Sequence, residues 1–168
     1  MVQNGGFESG TFEGFNSQGD SVVDDAGDVH TGSEGQYYAK VDVLAGGPNI
    51  LSNNIDFVSG QNMFVSCWAR EDPTDAPDAN AQLAVRLYNS SGNQISRVIL
   101  ETITTGTKSW TRLSGVVTAT LTTAFARIDF GEANGTIGYW NVDDITAHFD
   151  ATQTTLDAGA DISNAIAN

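Results

Sequence analysis

The chain has 168 residues, enough for one domain with a substantial core. Hydrophobic residues make up 40% and charged residues 17%, with 18 glycines and 3 prolines, a mixture that suits short strands and tight turns better than helices. A formal net charge of −14 argues against nucleic acid and anionic lipid as partners, since a field of that sign repels phosphate; the same acidity can serve solubility or cation binding.

Residues 1–35 are rich in Gly, Asp and Ser and read as a short strand followed by long loops. Residues 36–43 alternate as a strand that Gly46-Gly47-Pro48 ends, and 49–58 form the next, closed by the hairpin-type turn Ser59-Gly60-Gln61-Asn62. Residues 63–70 are a further strand. Residues 71–80, with Pro73, Pro77, Asp72, Asp75 and Asp78, read as an exposed loop. Strands at 82–88, 94–104, 110–118, 124–131 and 137–149 complete the series. Short strands at regular spacing with no helix between them predict an all-β sandwich or barrel.

Residues 150–168 are small, polar and poor in strand formers, with Leu156, Ile162 and Ile166 as a weak apolar stripe. Such a short C-terminal tail does not bury itself, so it is expected to dock on its own domain or on a neighbouring chain. No run of about 20 apolar residues is present to span a membrane. The first residues lack the pattern of a signal peptide, so export by a removed leader or by a non-classical route is expected. Cys67 is the sole cysteine, which excludes an intrachain disulfide and a C-x-x-C redox site.

Period-two alternation sorts the strands into faces. Val65, Cys67 and Ala69 fall on one side, leaving Phe64, Ser66, Trp68 and Arg70 on the other. Leu83, Val85 and Leu87 oppose Gln82, Arg86 and Tyr88; Ala126, Ile128 and Phe130 oppose Arg127 and Asp129. Aromatic and planar polar groups on a non-core face are what a sugar site needs, because rings stack on C–H patches of pyranoses and Arg, Gln and Asp bond hydroxyls directionally. An ordinary surface or a subunit interface is the competing reading of Trp68 and Arg86. Trp110 and Trp140 read as core or rim packing. Asp143 shares parity with Ile145 and so is expected to point inward, where a carboxylate needs a cation or several N–H donors.

Asn4-Gly5-Gly6-Phe7-Glu8-Ser9-Gly10 resembles the opening N-G-x-F-E-x-G of the carbohydrate-binding modules of families four, nine and twenty-two, a galactose-binding-domain-like jelly roll. His30-Thr31-Gly32-Ser33 with Tyr38-Ala39-Lys40-Val41 follows, similar to H-S-G-x-x-A-L-K-V. Ser59-Gly60 with Met63 to Arg70, then Trp110-Thr111-Arg112-Leu113-Ser114-Gly115, then Tyr139-Trp140-Asn141-Val142-Asp143-Asp144-Ile145 match later motifs in order. Phe15 and Met63 depart from the Trp and Tyr usual there. The resemblance implies a jelly roll that binds a polysaccharide or cell-surface glycan on its concave sheet. Trp68, Arg70, Gln82, Arg86, Tyr88, Arg127 and Asp129 are the candidates, Trp68 and Arg70 by motif. It also implies a structural calcium held by Glu8, Asp143 and carbonyls near Gly32, a donor set of hard oxygens.

Catalysis is not expected. His30 and His148 are the only histidines, neither sits in a triad pattern, and no spacing singles out a carboxylate pair. The alternative to glycan binding is a structural assembly subunit that reuses the fold, such as a bacteriophage virion decoration or fibre protein, contacting capsid or fibre subunits through 150–168. Either reading places the protein outside the cell or on a virion surface.

Overall fold

The computed structural model describes residues 5–17, 21–24, 37–43, 48–131 and 135–149. Apolar–polar alternation there becomes β1 (Phe15–Ser17), β2 (Val22–Asp24), β3 (Tyr38–Asp42), β4 (Pro48–Ser52), β5 (Ile55–Asp56), β6 (Asn62–Glu71), β7 (Ala81–Tyr88), β8 (Gln94–Ile103), β9 (Thr111–Thr118), β10 (Phe125–Gly131) and β11 (Tyr139–Phe149). One sheet runs β1-β4-β10-β7-β8, with β5 also on β10; the second runs β2-β3-β11-β6-β9. Pairing among the described residues is antiparallel, and no helix occurs among them. Only β2–β3 and β7–β8 are sequential hairpins between full partners; the other links mostly cross from sheet to sheet. This is the antiparallel jelly-roll sandwich that the family resemblance implies.

The core lies between the layers. Val65, Cys67, Ala69 and Val142 of the second sheet face Leu83, Val85, Ile128 and Phe130 of the first, all buried. Phe7, fully buried, closes one end against Phe12 and Phe15, with ring centroids 5.9 and 5.4 Å away. Trp140 is buried too, and its indole Nε1 donates to the Ala79 carbonyl at 3.0 Å. Trp110 packs at the rim, edge-on to Tyr38 at 6.1 Å. Burial pushes the Cys67 thiol well above its usual pKa, consistent with a small buried hydrophobe.

Two expectations change. The segment 49–58 is two strands, because the chain leaves the β10 ladder at Ser52, whose Oγ accepts from Ile128 N at 2.9 Å in place of a backbone carbonyl. Residues 1–35 supply two short strands, β1 and β2, rather than one. The loop after β6 is largely exposed, as expected, and is tied down at one buried residue: Asp72 is 3% exposed and its Oδ1 accepts from Thr74 N, Thr74 Oγ1 and Asp75 N at 2.6–2.9 Å. Its Oδ2 lies 3.2 Å from Lys40 Nζ. Asp78 bonds Thr136 through both amide and hydroxyl, at 2.9 and 2.8 Å. The tail 150–168, with the docking expected of it, lies outside the described residues.

Candidate functional site

Neighbouring strands β10, β7 and β8 bring Arg127, Arg86 and Arg97 into one transverse row, since Arg127 pairs with Arg86 and Arg86 with Arg97. Inward neighbours such as Ile128 and Val85 fix all three side chains on the outer face of the first sheet. Beside the row sits Asp129, outward by parity yet 0% exposed, because guanidinium groups cover it. Arg86 Nε donates to its Oδ2 at 2.6 Å; Arg97 donates to Oδ2 from Nε at 3.0 Å and to Oδ1 from Nη2 at 2.9 Å. The arginines are held in turn, Arg86 Nη1 on Gln94 Oε1 at 3.1 Å and Arg97 Nη1 on Gln82 Oε1 at 2.8 Å.

At one end of this platform Tyr88 and Phe125, register partners, stack with ring centroids 4.9 Å apart and planes 3° from parallel. Each ring gives one face to the other. The Arg127 guanidinium lies 5.5 Å from the Tyr88 centroid, and its Nε donates to Asn54 Oδ1 at 2.7 Å. Phe125 is partly exposed, so part of its ring is open to a ligand. The face thus combines an aromatic surface with planar donors and acceptors in fixed directions.

Of the seven expected contact residues, Gln82, Arg86, Tyr88, Arg127 and Asp129 come together here; Trp68 and Arg70 do not. They stand on β6, on the outer face of the opposite sheet. Parity separates inward from outward but not one sheet from the other, and the chain crosses layers between β6 and β7. Trp68 is half-buried. Arg70 is only 8% exposed, its guanidinium carbon 4.7 Å from the Trp110 ring centroid. Lys40 lies 4.7 Å over Tyr139 and Arg112 5.7 Å over Phe64. This second face interleaves cations with aromatic rings and is partly open to solvent.

A second cluster lies where the N-terminal segment crosses β11. Gly5 O accepts from Ile145 N at 2.8 Å, and Gly5 has no room for a Cβ against the Ile145 carbonyl. The point where a Gly6 side chain would begin lies 3.2 Å from Asp144 Oδ1, 3.5 Å from Glu8 Oε1 and 3.7 Å from Asp143 Oδ1. Asp143 is fully buried, but it does not share a face with Ile145 as parity predicts. The β11–β6 register shifts between Asp143 and Thr146, with Asp144 at φ +50°. Asp143 therefore stands opposite Trp68 on the outer face and is sealed by the segment above it. Its Oδ1 accepts from Asp144 N at 2.8 Å. Convergent hard oxygens fit a cation such as calcium in chemistry. Among the described residues no group of three or more His, Cys, Asp or Glu side chains is placed to hold a metal ion, and Gly32 lies outside them.

A family model described as a carbohydrate binding domain, of families four and nine, matches residues 1–131. The chain belongs to the carbohydrate binding domain family. Among curated proteins none matches it in sequence. Solved structures share its fold. The xylan-binding domain CBM22-1 of Xyn10C from Paenibacillus barcinonensis superposes with a TM-score of 0.63 at 15% identity, covering 85% of this chain and 90% of its own. The C-terminal family 22 carbohydrate binding module of Clostridium thermocellum Xyn10B gives 0.61 at 16%, covering 84% and 91%. The enzymatically active domain of tailspike protein 4 from bacteriophage CBA120 gives 0.70 at 14%, covering 89% of this chain; the chain spans 21% of that structure.

Sequence reasoning about this carbohydrate binding domain missed Arg97, Gln94 and Asn54 as platform members. β8 alternates loosely, with Ile95 and Ile99 exposed, so its faces cannot be sorted by hydrophobicity. Asn54 occupies the break between β4 and β5, which the pattern hid inside one strand.

Proposed function

We propose that this carbohydrate binding domain binds a polysaccharide or glycan chain, without catalysis, across the outer face of its first sheet. The observation that carries this is the locked assembly of Gln82, Arg86, Gln94, Arg97 and Asp129 beside the Tyr88–Phe125 stack. Prearranged donors bind sugar hydroxyls at low ordering cost, and an aromatic face excludes water from the C–H patch of a pyranose. Asp129 is committed to two guanidinium groups, so it supports binding geometry rather than proton transfer. Glu8 and Asp143, with carbonyls near Gly32, hold a structural cation, calcium by chemistry, which pins the N-terminal segment to β11.

Isothermal titration against soluble β-glucans, xylans and acidic marine polysaccharides tests the reading. Binding at micromolar to millimolar affinity, weakened by Phe125→Ala, supports it; silence across the panel rejects it.

A second reading, an assembly subunit of a virion or fibre, is favoured by one surface. A concavity of about 280 Å³ lined by Asn62, Phe64, Val116, His148 and Phe149 adjoins the end of β11, with Val116 and Phe149 exposed. Residues 150–168 start beside it. If removing them leaves the mass in light scattering unchanged, this second reading fails.

A further inference from the structure

In a chain with 21 acidic and 7 basic residues, the placement of Arg86, Arg97 and Arg127 in one row on one face is a strong local reversal of charge. Lys40, Arg70 and Arg112 stand over aromatic rings on the other sheet. The described carboxylates bordering the row are Asp129, sealed beneath it, and Asp56, exposed opposite Phe125. The surplus on the face is therefore positive.

The three arginines are not equivalent. Arg86 and Arg97 share Asp129, whereas the partners of Arg127 among the described residues are neutral: the Asn54 amide and the Tyr88 ring. Its two terminal nitrogens carry no hydrogen bond to a described residue, and the side chain is partly exposed. A guanidinium with both terminal nitrogens unengaged is a fork for an oxyanion, which it binds with two parallel bonds. Arg127 and Phe125 stand two residues apart on the same face of β10, about 7 Å along the strand. A glycan chain running along β10, with one sugar against Phe125, can bring an acid group of that sugar or of its neighbour to the fork.

Resting on the glycan-binding reading above, we infer that the platform selects anionic glycans, whose ring is met by Phe125 and whose acid group is met by Arg127. The net charge of −14 opposes a polyanion at a distance. At physiological ionic strength that field is screened over about 8 Å, whereas the contact pair is not.

The test titrates the full chain, at about 0.15 M salt, with polygalacturonate, its methyl ester, carrageenan and uncharged xylan. The ester keeps the ring and removes the charge. Polygalacturonate binding about tenfold tighter than its ester, with Arg127→Gln bringing that ratio near one and Arg127→Lys restoring part of it, supports the inference. Tight binding of carrageenan with neither galacturonan bound also supports it and assigns sulfate as the anion. Equal affinity for charged and uncharged polymers overturns the inference and leaves glycan binding standing. Binding of none overturns both.

Discussion

Arg97 grips Asp129 with both ends of one edge, Nη2 to Oδ1 at 2.9 Å and Nε to Oδ2 at 3.0 Å, while Arg86 takes Oδ2 from the neighbouring strand at 2.6 Å. A carboxylate with no exposed surface and two guanidinium partners is held by geometry that neither arginine supplies alone. Its removal strands two partly buried cations. Asp129→Ala is expected to cost about 3–5 kcal/mol in urea unfolding, well beyond a surface truncation. Arg97→Gln, which leaves Arg86 on the carboxylate, should cost less. Near-equal, sub-kcal effects would show that the pair contributes little to stability.

Asp72 gives a pH signature. Burial works to raise its pKa, but hydrogen bonds from the Thr74 hydroxyl and the Thr74 and Asp75 amides, with Lys40, outweigh that and hold it below the usual value. A depressed folded pKa stabilises above the unfolded value, about 4, and that contribution is lost as pH falls through the folded one. The stability gap between the native chain and Asp72→Asn should stay constant from neutral pH to about 5 and close below about 4. A gap that widens on acidification contradicts the assignment.

The carboxylates around Gly6 predict a thermal shift with metal. Calcium at about a hundredfold over its Kd should add about 2.7 kcal/mol, and a chelator should remove it. Glu8→Gln or Asp143→Asn should abolish the calcium response in calorimetry. An identical melting temperature with calcium and with chelator would contradict the cation proposal.

Asn141 is fully buried on β11 between its register partners Lys40 and Arg70, and neither its Oδ1 nor its Nδ2 has a hydrogen-bond partner among the described residues. Orphaned buried amides are costly, about 1–3 kcal/mol each. Asn141→Leu, close in volume and apolar, should raise the urea midpoint. A clear drop would mean that the amide is bonded in solution.

The fold was legible because its cause is local. Alternation at Val65, Cys67 and Ala69, at Leu83, Val85 and Leu87, and at Ala126, Ile128 and Phe130 marks the faces that became the core. The candidate surface was legible strand by strand and not as a whole. Nothing in the run that contains Trp68 tells which layer it joins, so Trp68 and Arg70 were grouped with residues from the far side of the sandwich. Arg97 was hidden because β8 lacks a clean period. Asp143 faces opposite to its parity because one extra residue, Asp144, enters β11 as a bulge in a left-handed conformation, and strict alternation gives no sign of a bulge.

The choice of face is the crux. Titrating one bound polysaccharide into Phe125→Ala and Trp68→Ala, each checked for an intact fold, decides it. Affinity should fall about tenfold for Phe125→Ala and hold for Trp68→Ala. Loss with Trp68→Ala and retention with Phe125→Ala would move the site to the second sheet.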